Sequence, residues 1–257
     1  MKKRVDYDKI APTFNQRYAD NQIWLSGEAI SRLAEQLNTR RALEVGCGTG
    51  HWLAYLSEEV PRLVGLDLSR GMLAQAQRRQ THASWVQGDA STLPFPREHF
   101  DLLFCINALH NFDDPPQFLA EAFRVLCPGG ALAVLGSDPR REQHTWYVYQ
   151  YFQGTYETDL ERFPDWQDLT QWMNAVGFTG LVQEDVEHIN NPKLGRRVLE
   201  DPFLEKTATS QLALLSEEEY EAGLDCIKTT LQQAEARGET LSFASEFTIT
   251  MLTGWKP

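Results

Sequence analysis

The chain has 257 residues, 42% of them hydrophobic, with 24 Lys and Arg against 36 Asp and Glu, a net charge of −12 and a sequence pI near 5.0. That length and apolar content suit one large α/β domain with a sizeable core. The acidic balance, with basic residues scattered, argues against a nucleic-acid partner, because phosphate binding needs a basic surface.

In chain order, residues 1–22 are polar with interleaved aromatics, Tyr7, Phe14 and Tyr18, and predict a short helical arm ahead of the first core element, free to fold over a neighbouring site. The helix Ile23–Gln36, with Ile30, Leu33, Ala34 and Leu37 at helical spacing, buries one face. From 41 to 136 strands and helices alternate. The strands are Arg41–Gly46, Arg62–Asp67, Ser84–Gln87, the apolar run Phe100–Ile106 and Ala131–Gly136. Between them fall a helix Leu53–Glu59, a helix capped by Ser69, a helix opened by Pro115 and Pro116, and a Cys127-Pro128-Gly129-Gly130 turn. This alternation predicts an α/β fold with a doubly wound, Rossmann-like parallel sheet, which binds ligands at the carboxyl ends of its strands.

Beyond strand five the pattern breaks. Arg140–Phe163 is dense in aromatics that the core does not need, and predicts a lid over an apolar pocket. Asp165–Val176 is a helix ended by Gly177, Thr179–Ile189 a sixth strand, 190–199 a loop, Leu212–Ala236 an acidic helix and Ser245–Trp255 the last strand. The stretch 190–240 is longer than a hairpin needs and is assigned to a second lid piece. The expected division is a single domain with its core at 38–139, 164–189 and 241–257 and its lid pieces at 1–25, 140–163 and 190–240.

Cys47, Cys105, Cys127 and Cys226 form no C-x-x-C pair and have no His at metal-ligand spacing, so buried free thiols, no metal and a reducing compartment are expected. The charged N-terminus lacks an apolar core of the secretory type, and no apolar run approaches the ~20 residues that span a bilayer. The expectation is a cytoplasmic protein without stable membrane insertion.

The most informative stretch is Glu44-Val45-Gly46-Cys47-Gly48-Thr49-Gly50, a strand running into three alternate glycines and a helix start. Glycine admits positive φ and close approach of a ligand to the backbone. The spacing is G-x-G-x-G with His51 where a dinucleotide fingerprint has its third glycine, and no P-loop pattern occurs. Glu44 suits an ammonium or sulfonium and not a pyrophosphate. Asp67 ends strand two at the spacing where a carboxylate meets ribose hydroxyls, Asp89 follows strand three, and Asn107 and His110 follow strand four. Together they describe a cleft for a nucleoside with a charged tail.

These segments, with Gly65-Leu66-Asp67-Leu68-Ser69, Met72-Leu73, Gly88-Asp89-Ala90, Asn107-Ala108-Leu109-His110 and Leu126-Cys127-Pro128-Gly129-Gly130, resemble the class I S-adenosylmethionine-dependent methyltransferases, type-11 and ubiquinone/menaquinone-like, over about residues 5–137. The resemblance implies a seven-stranded sheet whose last strand lies antiparallel between strands five and six. It implies that Glu44 and the turn Gly46, Cys47, Gly48 and Gly50 hold the methionine part, that Asp67 binds the ribose and that Leu68 and Met72 pack on adenine. Asp89 and Ala90 would read the adenine edge, and Asn107 would offer its backbone near the amino group. Arg17 would reach the cofactor carboxylate and Tyr7 would close the site. The implied reaction is methyl transfer to a small, partly apolar acceptor, leaving S-adenosylhomocysteine. His110 is the first candidate base and Tyr147 a weaker one. Different chemistry on the same cofactor, and a cofactor-binding regulatory protein without turnover, stand as alternatives.

Overall fold

A computed structural model describes residues 4–17, 25–142 and 144–257. Tyr18, the expected helix start at Ile23 and Trp24, and the Arg17 side chain lie outside the described residues. The strands are β1 Arg41–Val45, β2 Arg62–Asp67, β3 Ser84–Gln87, β4 Phe100–Ile106, β5 Leu126–Gly136, β6 Thr145–Trp146, β7 Thr179–Asn190, β8 Lys193–Leu194, β9 Ser242–Phe243 and β10 Ser245–Trp255. The helices are α1 Tyr7–Ile10, α2 Leu25–Gln36, α3 His51–Tyr55, α4 Arg70–Ala76, α5 Pro115–Val125, α6 Tyr147–Tyr151, α7 Thr155–Arg162, α8 Trp166–Val176, α9 Ser210–Ala213 and α10 Glu217–Ala236.

One eight-stranded sheet runs β3-β2-β1-β4-β5-β10, with β7 on the far side of β10. β1 to β5 pair in parallel, and β10 is antiparallel to both β5 and β7. The eighth strand corrects the expected seven. β5 ends at Gly136 opposite Thr250, which leaves the first residues of β10 open on that side, and Thr145 and Trp146 pair there with Glu246 and Ser245. The expected turn at 127–130 is instead taken up inside β5, whose register against β4 shifts between Phe100 and Leu102, with Gly129 at φ 81°. Within the expected helical stretch 212–236, α9 ends at Ala213 and a reciprocal capping box of Ser216 and Glu219 starts α10 at Glu217.

Helices α5 and α8 cover one face of the sheet through Phe118, Leu119, Ala122, Leu169 and Met173; α2 and α3 cover the other through Ile30, Leu33, Trp52 and Leu53. Parallel strands covered on both faces explain why β4 reads as a continuous apolar run. The insertions after β5 and β7 share a separate cluster, in which Tyr147, Val148 and Phe152 meet Leu204, Leu212, Ile227, Leu231 and Phe243. The arm docks on α4: Asp8 Oδ1 accepts from Ser69 Oγ at 2.6 Å and Gly71 N at 2.7 Å, and Ile10 and Ala11 are buried with Met72. No described helix is long and apolar enough to cross a membrane.

Gly65 sits mid-β2 where a Cβ would come 2.7 Å from the Trp85 ring and 2.8 Å from both Cys47 Sγ and Leu53 Cδ1. Gly65→Ala is therefore expected to lower the unfolding free energy by about 1–3 kcal/mol through overpacking. A urea midpoint shift at unchanged slope measures this, and an unmoved midpoint contradicts it.

Candidate functional site

The ends of β1, β2 and β4, the arm and both insertions enclose one cavity of about 380 Å³. On the β1 side its wall is the turn after Val45. Gly46 and Gly48 have φ of 75° and 52°, in the left-handed region glycine tolerates. At Gly46 a Cβ would also sit 2.5 Å from that of Ala108, so the turn packs directly on the segment after β4. Gly50 has a different task. It does not line the cavity, and a Cβ there would overlap the Trp85 ring; with φ 72° it is the N-cap of α3.

Glu44 is the unusual group. It is 1% exposed, and its Oε2 has no hydrogen-bond partner among the described residues. Burial first, and then the nearby charge of Asp67, push its carboxyl well above the ordinary 4.5, with Arg79 opposing. Asp67 is better served. Its Oδ2 accepts from Gly48 N at 2.7 Å and its Oδ1 from Ser69 N at 2.8 Å, although burial still raises its pKa. Asp89 Oδ1 accepts from Ser91 N and Oγ, both at 2.8 Å, which holds the turn after β3. Leu68 is exposed into the cavity beside buried Met72, and Asn107 takes φ 50° while its N–H donates to Leu135 O.

Of the expected residues, the cavity wall brings together Tyr7, Glu44, Gly46, Cys47, Gly48, Asp67, Leu68, Met72, Asp89, Ala90, Asn107 and His110. It does not include Gly50 or Tyr147. Tyr147 is fully buried in the insertion cluster, and its hydroxyl donates to Asp201 at 3.1 Å. Burial and the charge of Asp201 push the phenol's pKa up.

On the insertion side the expected aromatic lid supplies Tyr149 and Phe163, and the sequence reading missed the others. Tyr149, Arg162, Phe163, Phe203 and Gln211 line the cavity, together with Asn111 and His144. His110 stacks on Phe163, ring centroids 4.0 Å apart. His144 lies between Tyr149 and Phe247, 5.6 Å from each ring, and burial depresses its pKa to about 4. Aromatic density in 140–163 was the only signal for this wall, because its members come from separated segments.

The residues present fit a cationic nucleoside cofactor. The unpartnered carboxylate oxygen of Glu44 offers a site for positive charge, the turn leaves room for backbone approach, and Asp67 and Asp89 follow at the next strand ends. Because the folded protein keeps the Glu44 proton to higher pH than the unfolded chain, its contribution to stability is complete below about pH 4.5 and is lost as pH rises toward the folded value. Glu44→Gln is expected to remove that decline, so that the variant loses less stability than the wild type between pH 4.5 and pH 7. Denaturation at pH 4.5 and 7 measures it, and parallel pH profiles for variant and wild type contradict it.

Comparison with known proteins agrees with this geometry. Residues 43–134 match the family profile described as methyltransferase domain. The chain is 34% identical over 179 residues to demethylmenaquinone methyltransferase of Deinococcus radiodurans, covering 60% of this chain and 73% of that protein. It is 39% identical to the phthiotriol/phenolphthiotriol dimycocerosates methyltransferase of Mycobacterium leprae, spanning 46% of each. Haemonchus contortus phosphoethanolamine N-methyltransferase 2, solved with S-adenosylmethionine, superposes with a TM-score of 0.60 at 18% identity, over 97% of this chain and 57% of that one, a likeness of fold. With the sheet order, the Glu44–Gly48 turn and these relatives together, the chain belongs to the S-adenosylmethionine-dependent methyltransferases, enzymes whose cofactor is S-adenosylmethionine.

Proposed function

We propose that the protein transfers a methyl group from S-adenosylmethionine to a small, partly apolar acceptor held between the Gly46–Gly48 turn and the two insertions. The observation that carries this is Glu44, a buried carboxylate with an unpartnered oxygen in the wall of a cavity that continues into an aromatic-lined chamber. When bound, the cofactor supplies a sulfonium methyl already activated toward displacement. Glu44 and the backbone of Gly46, Cys47 and Gly48 bind the cationic end, with Asn107 beside them. Asp67 takes the ribose hydroxyls, Leu68 and Met72 flank the adenine, and Asp89 and Ala90 read its edge. Tyr7 and the arm close the site, and Arg17 is assigned the carboxylate.

Trp146, Tyr149, Phe163, Phe203 and Phe247 give the acceptor side an apolar wall that excludes water and fixes the acceptor's direction of approach. The printed activities of the relatives, on demethylmenaquinone and on phthiotriol dimycocerosates, support an apolar acceptor. The acidic wall, with Glu187 and Asp201 added to Glu44, Asp67 and Asp89, disfavours polyanions and with them nucleic acid. Its four free cysteines suit a reducing, cytoplasmic setting.

The test is incubation of the protein with methyl-labelled S-adenosylmethionine and a small-molecule extract of the cell that makes it, followed by mass spectrometry. The expected outcome is label in a compound heavier by one methyl, with S-adenosylhomocysteine formed in equal amount. Label remaining in the cofactor, or S-adenosylhomocysteine absent, overturns the proposal.

A further inference from the structure

The arm and the cavity wall meet at one serine. Ser69 follows β2 and caps α4, its Oγ accepting from Met72 N at 3.1 Å. Its N–H donates to Asp67 Oδ1 at 2.8 Å, while Gly48 N donates to Asp67 Oδ2 at 2.7 Å, so backbone groups pin both oxygens of this cavity-wall carboxylate. A serine hydroxyl has a single proton. Here it goes to Asp8 Oδ1 at 2.6 Å, and the same oxygen accepts from Gly71 N at 2.7 Å. One residue therefore holds two carboxylates, that of β2 through its amide and that of the arm through its hydroxyl.

The contact between arm and α4 is close. A Cβ at Gly71 would come 3.0 Å from Asp8 Cα and 3.1 Å from Asp8 O and Oδ1. Two residues past Asp8, the arm buries Ile10 and Ala11 against Met72. Further on, Asn15 Oδ1 accepts from Thr49 Oγ1 at 2.6 Å, which ties the arm to the glycine turn as well. Burial raises the Asp67 pKa, its backbone donors oppose that, and the charge of Asp8 adds to the rise.

We propose that Asp8 is a positioning residue for the cofactor: by taking the Ser69 proton and the Gly71 N–H it braces the backbone that aims Asp67, so that a docked arm and a bound cofactor strengthen each other. Without Asp8, the Ser69 hydroxyl keeps the Met72 bond alone and the segment 67–69 loses its outer brace. Coupling of this kind is reciprocal: whatever arm docking adds to cofactor binding, cofactor binding adds to arm docking. The proposal rests on the assignment of Asp67 to the cofactor made above, whereas the bracing itself follows from the hydrogen bonds.

The test is calorimetric titration of S-adenosylhomocysteine at pH 7 into the wild type, Asp8→Ala, Asp8→Asn and Gly71→Ala, with hydrogen exchange of residues 5–16 followed on the same proteins. Asp8→Ala removes the brace and Gly71→Ala wedges the arm off α4, and each is expected to weaken binding about 3–10-fold, between the worth of an exposed ion pair and that of a charged hydrogen bond. Asp8→Asn keeps an oxygen for both donors and is expected to bind more tightly than Asp8→Ala. Because Asp8 acts through Asp67, its loss in an Asp67→Asn background is expected to cost less than about 2-fold, a non-additivity that a merely structural arm would not show. The ligand is expected to slow exchange of the arm amides in the wild type and much less in Asp8→Ala. Wild-type affinity in Asp8→Ala, simple additivity with Asp67→Asn, or arm exchange unmoved by ligand in the wild type overturns the proposal alone. Absence of binding in the wild type overturns the reading of the cavity and the proposal with it.

Discussion

The structure turns on a carboxylate that the fold pays to bury. Glu44 lies inside the carboxyl end of a central parallel strand, and one of its oxygens lacks a partner among the described residues. A buried, unpaired charge is unfavourable, so the free protein raises the pKa of Glu44 and loses stability as that group ionises. The same feature suits the position to positive charge. The adjoining turn is spared side chains at Gly46 and Gly48, and its amide at Gly48 is held by Asp67, which fixes the end of β2 to the end of β1. The arm then seals this corner, with Asp8 binding the first turn of α4.

The insertion side of the cavity is built on another principle. Two insertions separated by β7 share one apolar cluster, and their inner surface meets the end of β4 through a buried polar chain from Gln211 and Tyr149 to Asp159, Arg162 and Asn111. In a low-dielectric setting such a network is stable only when each member is satisfied, so it fixes geometry as well as contributing energy. The cofactor end is thus a permissive cradle with a charge to fill. The insertion side is an apolar wall that carries the imidazoles of His110 and His144.

How much of this was legible in the sequence follows from how local each feature is. β2, β4 and β10 fell where apolar periodicity placed them, since each carries a buried run with its own turn signals, and the short, part-exposed β3 fell where it was expected as well. The two-residue strands β6, β8 and β9 have no signal of their own: β6 forms on the β10 edge left open beyond β5, and β8 and β9 pair only with each other. The Glu44–Gly48 turn and the strand-end acids were readable because they are contiguous motifs. Gly50 was readable as a required glycine, but its contact with the distant Trp85 ring has no signal in the sequence. Tyr147 and Tyr149 show the limit of the method. Two residues apart on one short helix, they point to nearly opposite sides, so the first faces the Phe243 cluster and the second the cavity. Neither the Arg162–Asn111 contact nor the Gln211 contact has any signature in sequence spacing.

Calorimetric titration with S-adenosylhomocysteine at pH 7, run in two buffers of different ionisation enthalpy, tests the central claim about Glu44 most directly. Docking the ligand's ammonium against a carboxyl whose pKa burial raises favours its ionised form and so drives proton release. The account predicts saturable binding with net proton release in the wild type, and in Glu44→Gln binding at least about 10-fold weaker, equivalent to the ~1.4 kcal/mol of one tenfold step, with the release lost. Absence of binding, or equal affinity and equal proton release in the two proteins, would contradict it.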